Sequence, residues 1–587
     1  MSLDNGIRKT SELDFNPPSF APEQVWAFKG TKGLDLLLCR GKDYTLLLID
    51  QGKVKWRREE ALGHAEKAIF VDLPGESLHA HNEYFIALAE KKGLAALPGL
   101  FLTRVATQVQ SLLARLQSEP KAGLIMDNFG FNKLLLVTTS IGKVFAVHSM
   151  TGETVWTKTI PACKVQHFVS LDIEQVALLA RCGEMSHLLV LSVVSGETVA
   201  EIELKSPTLK VVEVEKDDFK VLVIVAKDLS VTIFPQDEIS KSLVSQQHLV
   251  FYIVNTEENT VLGYHITAQL TCALAWNMLL PTSEHVTAYK AVSSGRIQQP
   301  AIATGLSKLL YKYIDTNLFV LATMKAKAGG KDGELAVYLV NGVSGRVLSK
   351  IRQDGVNGRV VVDCDENWAV VHYWSNRSGR YEFLSIELFE HKVRDSAWEM
   401  ILNYLENSSA EVVSAYSRPA PVVLHQSYAT TTGFQTMDHT VTLQGITRQD
   451  LLLIMNSGQL LALDRRQLSP RRKPEEDQTP SDFDDALLPA YKPLVPLVHT
   501  NILTHDRLVE GLQHTAVAWA LLESTCFVAV YGLDLFVARV MPEKSFDMLT
   551  DDFNYSAIVI SLGVLVAATI VAEVYFKKNQ VKRLFLA

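Results

Sequence analysis

Residues 132–160 read NKLLLVTTSIGKVFAVHSMTGETVWTKTI, and the fold is decided there. The apolar run Leu134–Val137 leads to a turn at Gly142. A second run, Val144–His148, leads to Thr151-Gly152, and a third, Glu153–Thr157, carries Trp156. Short apolar runs separated by glycine turns read as hairpin-linked strands, because glycine accepts the positive φ that such turns demand. The unit recurs outward in both directions, at 36–56, 188–204, 219–234, 249–266, 334–351, 367–388 and 450–464. Units of this size that cannot bury both faces alone must stack on neighbours, which predicts an all-β fold of β-propeller blades. A β-sandwich or several small sheets is the alternative. The unit resembles the PQQ-like, quinoprotein-type propeller repeat, in which the tryptophan packs between blades. Trp56 and Trp156 are therefore expected in the core rather than on a cofactor.

Composition narrows the function. A net charge of −8 and a pI near 6.1 argue against a general nucleic-acid binder, which needs a basic face to displace counterions. Six cysteines with no C-x-x-C exclude a disulfide scaffold and support neither zinc ribbons nor thioredoxin-like chemistry. Cys163 and Cys182 are placed to pair across a hairpin or to stay buried as thiols; the sequence leaves both open.

Two segments break the β pattern. In 97–116, Phe101, Val105, Val109, Leu112 and Leu116 share one helical face, with Leu102 and Leu113 beside it. Pro98 opens this helix and Pro120 closes it. It is too polar to span a bilayer, and lies either in the lipid interface or over one end of a propeller. The second segment is FNYSAIVISLGVLVAATIVA, Phe553–Ala572, 20 residues without a charge. At about 1.5 Å per residue it matches the roughly 30 Å hydrocarbon core, which predicts a transmembrane helix. Leu562, Gly563, Leu565 and Ile570 fall within it, and Phe553, Tyr555, Tyr575 and Phe576 at its ends, where aromatic rings prefer the interface. Asp547, Asp551 and Asp552 precede it; Lys577, Lys578, Lys582 and Arg583 follow. Positive flanks stay cytosolic, so the large N-terminal part is expected on the lumenal side.

The start, MSLDNGIRKTSELDF, carries no signal-peptide h-region. The chain is therefore either tail-anchored with a cytosolic body or N-terminally truncated. The sequons Asn376-Arg-Ser378 and Asn407-Ser-Ser409 favour translocation and make Asn376 and Asn407 glycosylation candidates. A third, at Asn554, lies too close to the membrane.

No catalytic constellation is found: there is no G-x-S-x-G and no H-E-x-x-H. His79, His81 and Glu83 read as a polar turn rather than metal ligands, and Asp482, Asp484 and Asp485 as a solvated run in the Pro-rich, charged loop 465–493. A quinone enzyme would need a Ca²⁺ site with acidic groups at the propeller centre, and no sign of either is visible. The expectation is no enzyme, no cofactor and no metal.

The C-terminal block carries a closer resemblance. Leu522-Glu523-Ser-Thr-Cys526, Tyr531-Gly532-Leu-Asp534, Arg539-Val-x-Pro542 and Lys544-x-Phe546-Asp547 resemble the signature of the subunit 1 family of the endoplasmic reticulum membrane protein complex. Lys55-Trp56-x-Arg58-Glu59-Glu60, Glu366-Asn367-Trp368, Gln426-Ser427-Tyr428, Gly445-Ile446-Thr447 and Pro470-Arg471-Arg472 extend it upstream. The resemblance implies lumenal PQQ-like propellers, an amphipathic helix along the membrane, and one C-terminal anchor. It further implies partnership with the other subunits, ER lipids and tail-anchored or multispanning clients of an insertase. It favours the interfacial reading of 97–116. The expected division is a partial propeller (1–95), the interfacial helix (96–120), a lumenal propeller region (121–550), the span (551–576) and a cytosolic tail (577–587). Family members carry more blades ahead of the Lys55-Trp56 motif, so the chain is expected to be truncated.

Overall fold

In the computed structural model, the described residues are 2–4, 7–9, 22–29, 35–50, 53–74, 124–127, 129–160, 163–216, 219–246, 248–267, 269–292, 299–304, 308–326, 333–391, 415–477, 488–543, 561–569, 571–573 and 575–576. The chain divides into two units, Met1–Pro542 and Glu543–Ala587.

The first unit is built almost wholly of antiparallel meanders, as the hairpin repeat predicts. Among the described residues, eight blades follow one another. The first pairs Ala65–Asp72, Lys133–Thr139, Lys143–His148 and Thr154–Thr159. The second runs from Lys164–Ser170 through Gln175–Cys182 and Met185–Ser192 to Thr198–Leu204. The third (Thr208–Lys216, Phe219–Ala226, Val231–Phe234) and fourth (Val250–Asn255, Thr260–Ile266, Cys272–Leu279) have three strands each, with the helix Glu238–Gln246 between them.

The fifth and sixth blades form one seven-stranded sheet. The 19-residue strand Val347–Asp365 joins them: its first half pairs with Gly333–Asn341 and its second with Trp368–Ser375. Glu284–Ala291 and Leu318–Ala326 complete the fifth blade, Arg380–Phe389 and Val422–Thr430 the sixth. The seventh comprises Phe434–His439, Asp450–Met455 and Leu460–Asp464; the eighth, Leu512–Trp519, Cys526–Gly532 and Leu535–Val540.

Each neighbouring pair of blades shares a buried apolar cluster, which is why strands such as Lys133–Thr139 and Cys526–Gly532 are buried along their whole length. The ring closes because the eighth blade packs on the first: Phe527, Ala529 and Tyr531 meet Phe70, Leu135, Val137 and Phe145. Tyr531 Oη accepts the Ala68 N–H at 3.1 Å across this closure.

Ala65–Asp72 pairs with Lys133–Thr139, so the ring begins before the segment that interrupts it. A separate four-stranded sheet, Pro22–Lys29, Asp35–Gly41, Thr45–Asp50 and Lys53–Glu59, precedes the ring with a small core of Cys39, Leu47 and Ile49. Lys143 ties it to the first blade: its buried ammonium meets Asp43 at 3.0 Å, Thr45 Oγ1 at 3.1 Å, and Glu59.

The repeated tryptophan is a joint between blades. Trp156, on the outer strand of the first blade, donates its Nε1–H to the Val193 carbonyl of the second at 2.8 Å. Its ring lies on the turn at Gly196, where an added Cβ would come within 2.6 Å of it and φ is +71°. Trp276 repeats the joint from the fourth blade to the fifth, donating to Gly342 O at 3.2 Å. Trp56 differs: it stands 37% exposed on the outer strand of the leading sheet.

Candidate functional site

The C-terminal motif residues converge on joints. Glu523 precedes strand Cys526–Gly532 and points into the 442–447 loop of the seventh blade. Its Oε1 accepts from Ile446 N (2.7 Å), Thr447 N (3.0 Å) and Thr442 Oγ1 (2.9 Å), and its Oε2 from Gln444 N (2.7 Å). Thr447 Oγ1 returns a bond to the Glu523 carbonyl. A carboxylate can accept this many donors where an amide cannot, so Glu523 holds together two motifs far apart in sequence. Gly532 abuts the Gly511 carbonyl, 1.9 Å from where its Cβ would stand. Asp534 accepts the Glu510 N–H at 2.9 Å. Cys526 is fully buried, and burial raises its thiol far above the reactive range. Arg539 stacks over Phe131, 4.7 Å from the ring centre, and Pro542 ends the unit.

The upstream motifs are used in the same way. Glu366 pairs with buried Lys312 at 2.6 Å, the Asn367 amide donates to Leu388 O, and Trp368 Nε1 donates to Gln449 at 2.8 Å. Tyr428 donates to Ser469 O at 2.6 Å, and Arg471 Nε pairs with Glu387 at 3.1 Å. Arg472 donates to the carbonyls of Gln467, Pro489 and Ala490.

One charged cluster joins the first strands of four successive blades. Lys290 Nζ (fifth blade) lies 2.6 Å from Asp363 (sixth) and 2.9 Å from Asp438 (seventh). Thr515 (eighth) donates to Asp438 at 2.8 Å. His439 Nδ1 lies 3.2 Å from Asp363, and its Nε2 3.6 Å from Asp365. Burial would push the imidazole down, but Asp363 and then Asp365 override it against Lys290, and His439 is held up at about 9. Burial would likewise raise Asp363; His439 and Lys290 hold it well below the carboxylate range. The ligand atoms of Asp363, Asp438 and His439 lie within 4.8 Å of one another, a spacing suited to a metal ion. Lys290 already stands between Asp363 and Asp438, and His439 lies against Asp363 and Asp365, so basic side chains of the protein itself occupy the space between the acids. No acidic set at the ring centre is visible in the sequence; the structure assembles one from positions 363, 365 and 438. The alternation Asp363-x-Asp365 at the end of an apolar run is a signal in the sequence, while nothing local marks Asp438.

A family profile described as "ER membrane protein complex subunit 1, second beta-propeller" matches residues 130–543. The chain belongs to the ER membrane protein complex subunit 1 family. It is 30% identical over 577 residues to that subunit from Gallus gallus, covering 91% of this chain and 57% of the relative. With the Xenopus laevis protein it shares 28% over 579 residues, 91% and 56% of the two chains. The chain thus spans a little over half the length of the relatives it matches.

Within this subunit 1 relative, the other predicted site residues fall as follows. Leu562, Gly563, Leu565, Tyr575 and Phe576 are helical and exposed, while Phe553, Tyr555 and Ile570 lie outside the described residues. Among the described residues no helix is long and apolar enough to cross a membrane. The expected helix with Phe101, Leu102, Val105, Val109, Leu112, Leu113 and Leu116 lies outside the described residues, as do His79, His81, Asn407 and Asp482. Asn376 is exposed at the tip of the hairpin between Trp368–Ser375 and Arg380–Phe389. Cys163 and Cys182, left open by the sequence, form a disulfide joining the first two strands of the second blade.

Proposed function

We propose that this chain is a non-catalytic, membrane-anchored lumenal scaffold of the ER membrane protein complex, holding other subunits while transmembrane segments of tail-anchored and multispanning clients are inserted. The observation that carries the reading is the use of the family motifs. Glu523, Tyr531, Asp534, Trp368 and Arg472 are all engaged in joints within and between blades, which is what a rigid brace requires and a catalytic site does not. The Cys163–Cys182 disulfide supports the lumenal side, since such bonds persist in oxidising compartments. The uncharged run Phe553–Ala572, with positive charge after it, supports a single type I span ending in a cytosolic tail. The apolar face repeated along the sequence 97–116 supports a place at the membrane interface, and the Trp156 and Trp276 joints support PQQ-like blades.

Affinity purification of the full chain in mild detergent tests the proposal. Co-purification of other subunits of this complex is expected, and their absence would overturn it. Replacing Val105, Val109 and Leu112 with Glu is expected to weaken membrane or complex association; a fully assembled and active complex would sink the interfacial role. A quinone-dependent enzyme is a second reading, favoured only by the acidic groups at the ring centre. Lys290 and His439 pair with those groups, and activity gained with added quinone and Ca²⁺ would be needed to revive it.

A further inference from the structure

The hairpin tip of the sixth blade carries more than a sequon. Its sequence is Trp374-Ser375-Asn376-Arg377-Ser378-Gly379-Arg380-Tyr381. Residues 376–379 are exposed, and Trp374 and Tyr381 face each other across the two strands, with ring centres 4.8 Å apart and planes at 77°. Trp374 stands on the strand two residues before Asn376, which opens the turn. The Trp374 Nε1–H donates to Asn376 Oδ1 at 2.9 Å. That bond fixes the carboxamide beside the indole through its carbonyl oxygen. An N-glycosidic linkage forms at the amide nitrogen and keeps that carbonyl as an acceptor, so the bond persists when a sugar is attached. The first sugar of an N-linked glycan has an apolar C–H face, and a half-buried indole beside the linkage is a surface on which such a face packs.

We propose that Asn376 is an N-glycosylation site and that Trp374, backed by Tyr381, is its sugar platform, seating the first N-acetylglucosamine and raising occupancy of the site. The two halves act in order. The Trp374 N–H orients the acceptor amide, and the indole face then holds the transferred sugar against the hairpin. Tyr381 meets the indole edge-on and keeps it from turning away. Trp374 is thus a positioning residue for the modification, and Ser378 supplies the hydroxyl of the sequon.

The inference rests on the lumenal placement proposed above, and the test separates the two. The full chain is expressed in cells, and glycosidase-sensitive mobility shifts are compared for the wild type, Ser378→Ala, Trp374→Leu, Trp374→Phe and Glu257→Thr. The last creates an independent sequon at Asn255, on an exposed hairpin of the fourth blade. Ser378→Ala should abolish the Asn376 glycan. Trp374→Leu should cut its occupancy several-fold, while Trp374→Phe, which keeps a ring but no N–H, should fall between that variant and the wild type. Trimming to one N-acetylglucosamine should also leave the wild type with a higher Tm than complete removal, and this difference should vanish in Trp374→Leu. A glycan at Asn255 with none at Asn376, or equal occupancy in the wild type and Trp374→Leu, overturns the platform and leaves the lumenal reading standing. A glycan at the native Asn407 sequon with none at Asn376 likewise overturns the platform alone, and no glycan at any of the three positions overturns the lumenal reading and the platform with it.

Discussion

Glu523 shows how much one side chain fixes. Four donors converge on its carboxylate, three of them backbone N–H groups of the 442–447 loop. Replacing it with Ala strands those donors, and a loss of about 3 kcal/mol in unfolding free energy is expected from denaturant titration. Glu523→Gln should lose a smaller part, because an amide offers one acceptor oxygen and turns two donors towards backbone N–H groups. His439 is the residue whose effect depends on pH. Its folded value of about 9 stands above the ordinary 6.5. Its contribution to stability is therefore fully present below about pH 6.5 and is lost as pH rises through about 9. The stability advantage of the wild type over His439→Gln should shrink between pH 7 and 10, and an NMR titration of the ring should show a midpoint near 9. A midpoint near 6.5 would mean that Asp363 and Asp365 do not hold the proton. Neither residue's role could be read from the sequence, because the partners of Glu523 lie 76 to 81 positions away and Asp363 and His439 are 76 apart.

Single elements were far more legible. Apolar runs with glycine turns predicted the hairpins of 132–160, and the strands Lys133–Thr139, Lys143–His148 and Thr154–Thr159 fall on them. The tryptophan was correctly expected between blades at 156, because a bulky ring on an outer strand opposite a glycine turn has one place to pack. At 56 the same expectation fails, for the ring stands part exposed on the leading sheet. Trp156→Ala should cost about 2 kcal/mol, since the ring is only half-buried but its loss also leaves the Val193 carbonyl without its donor. The second blade offers an independent check. Thiol labelling of the denatured, unreduced protein should modify four of the six cysteines, Cys163 and Cys182 being paired. Their replacement by Ser should cost about 3 kcal/mol, as expected for a short cross-linked loop. Six labelled thiols would contradict the bond and remove one support for the lumenal side.

For the whole molecule, deleting residues 551–587 is expected to release the ring from membranes while leaving it folded, because Met1–Pro542 forms a unit by itself. Membrane retention of that truncation would point to the 97–116 segment as a sufficient anchor. The sequence by itself determined the all-β class, the repeat, the uncharged terminal run and the family. Each of these is written in nearest-neighbour periodicity or in contiguous motifs. Tertiary structure decided where the ring begins, how it closes and what the motifs are for. Ala65–Asp72 joins the first blade across an interruption of 60 residues, 73–132, and Tyr531 meets Ala68 from 463 positions away. The physical reason is that a blade buries its faces only against other blades. Which strand completes which sheet, and which charge meets which, is set by closure of the ring, and no local pattern carries that information.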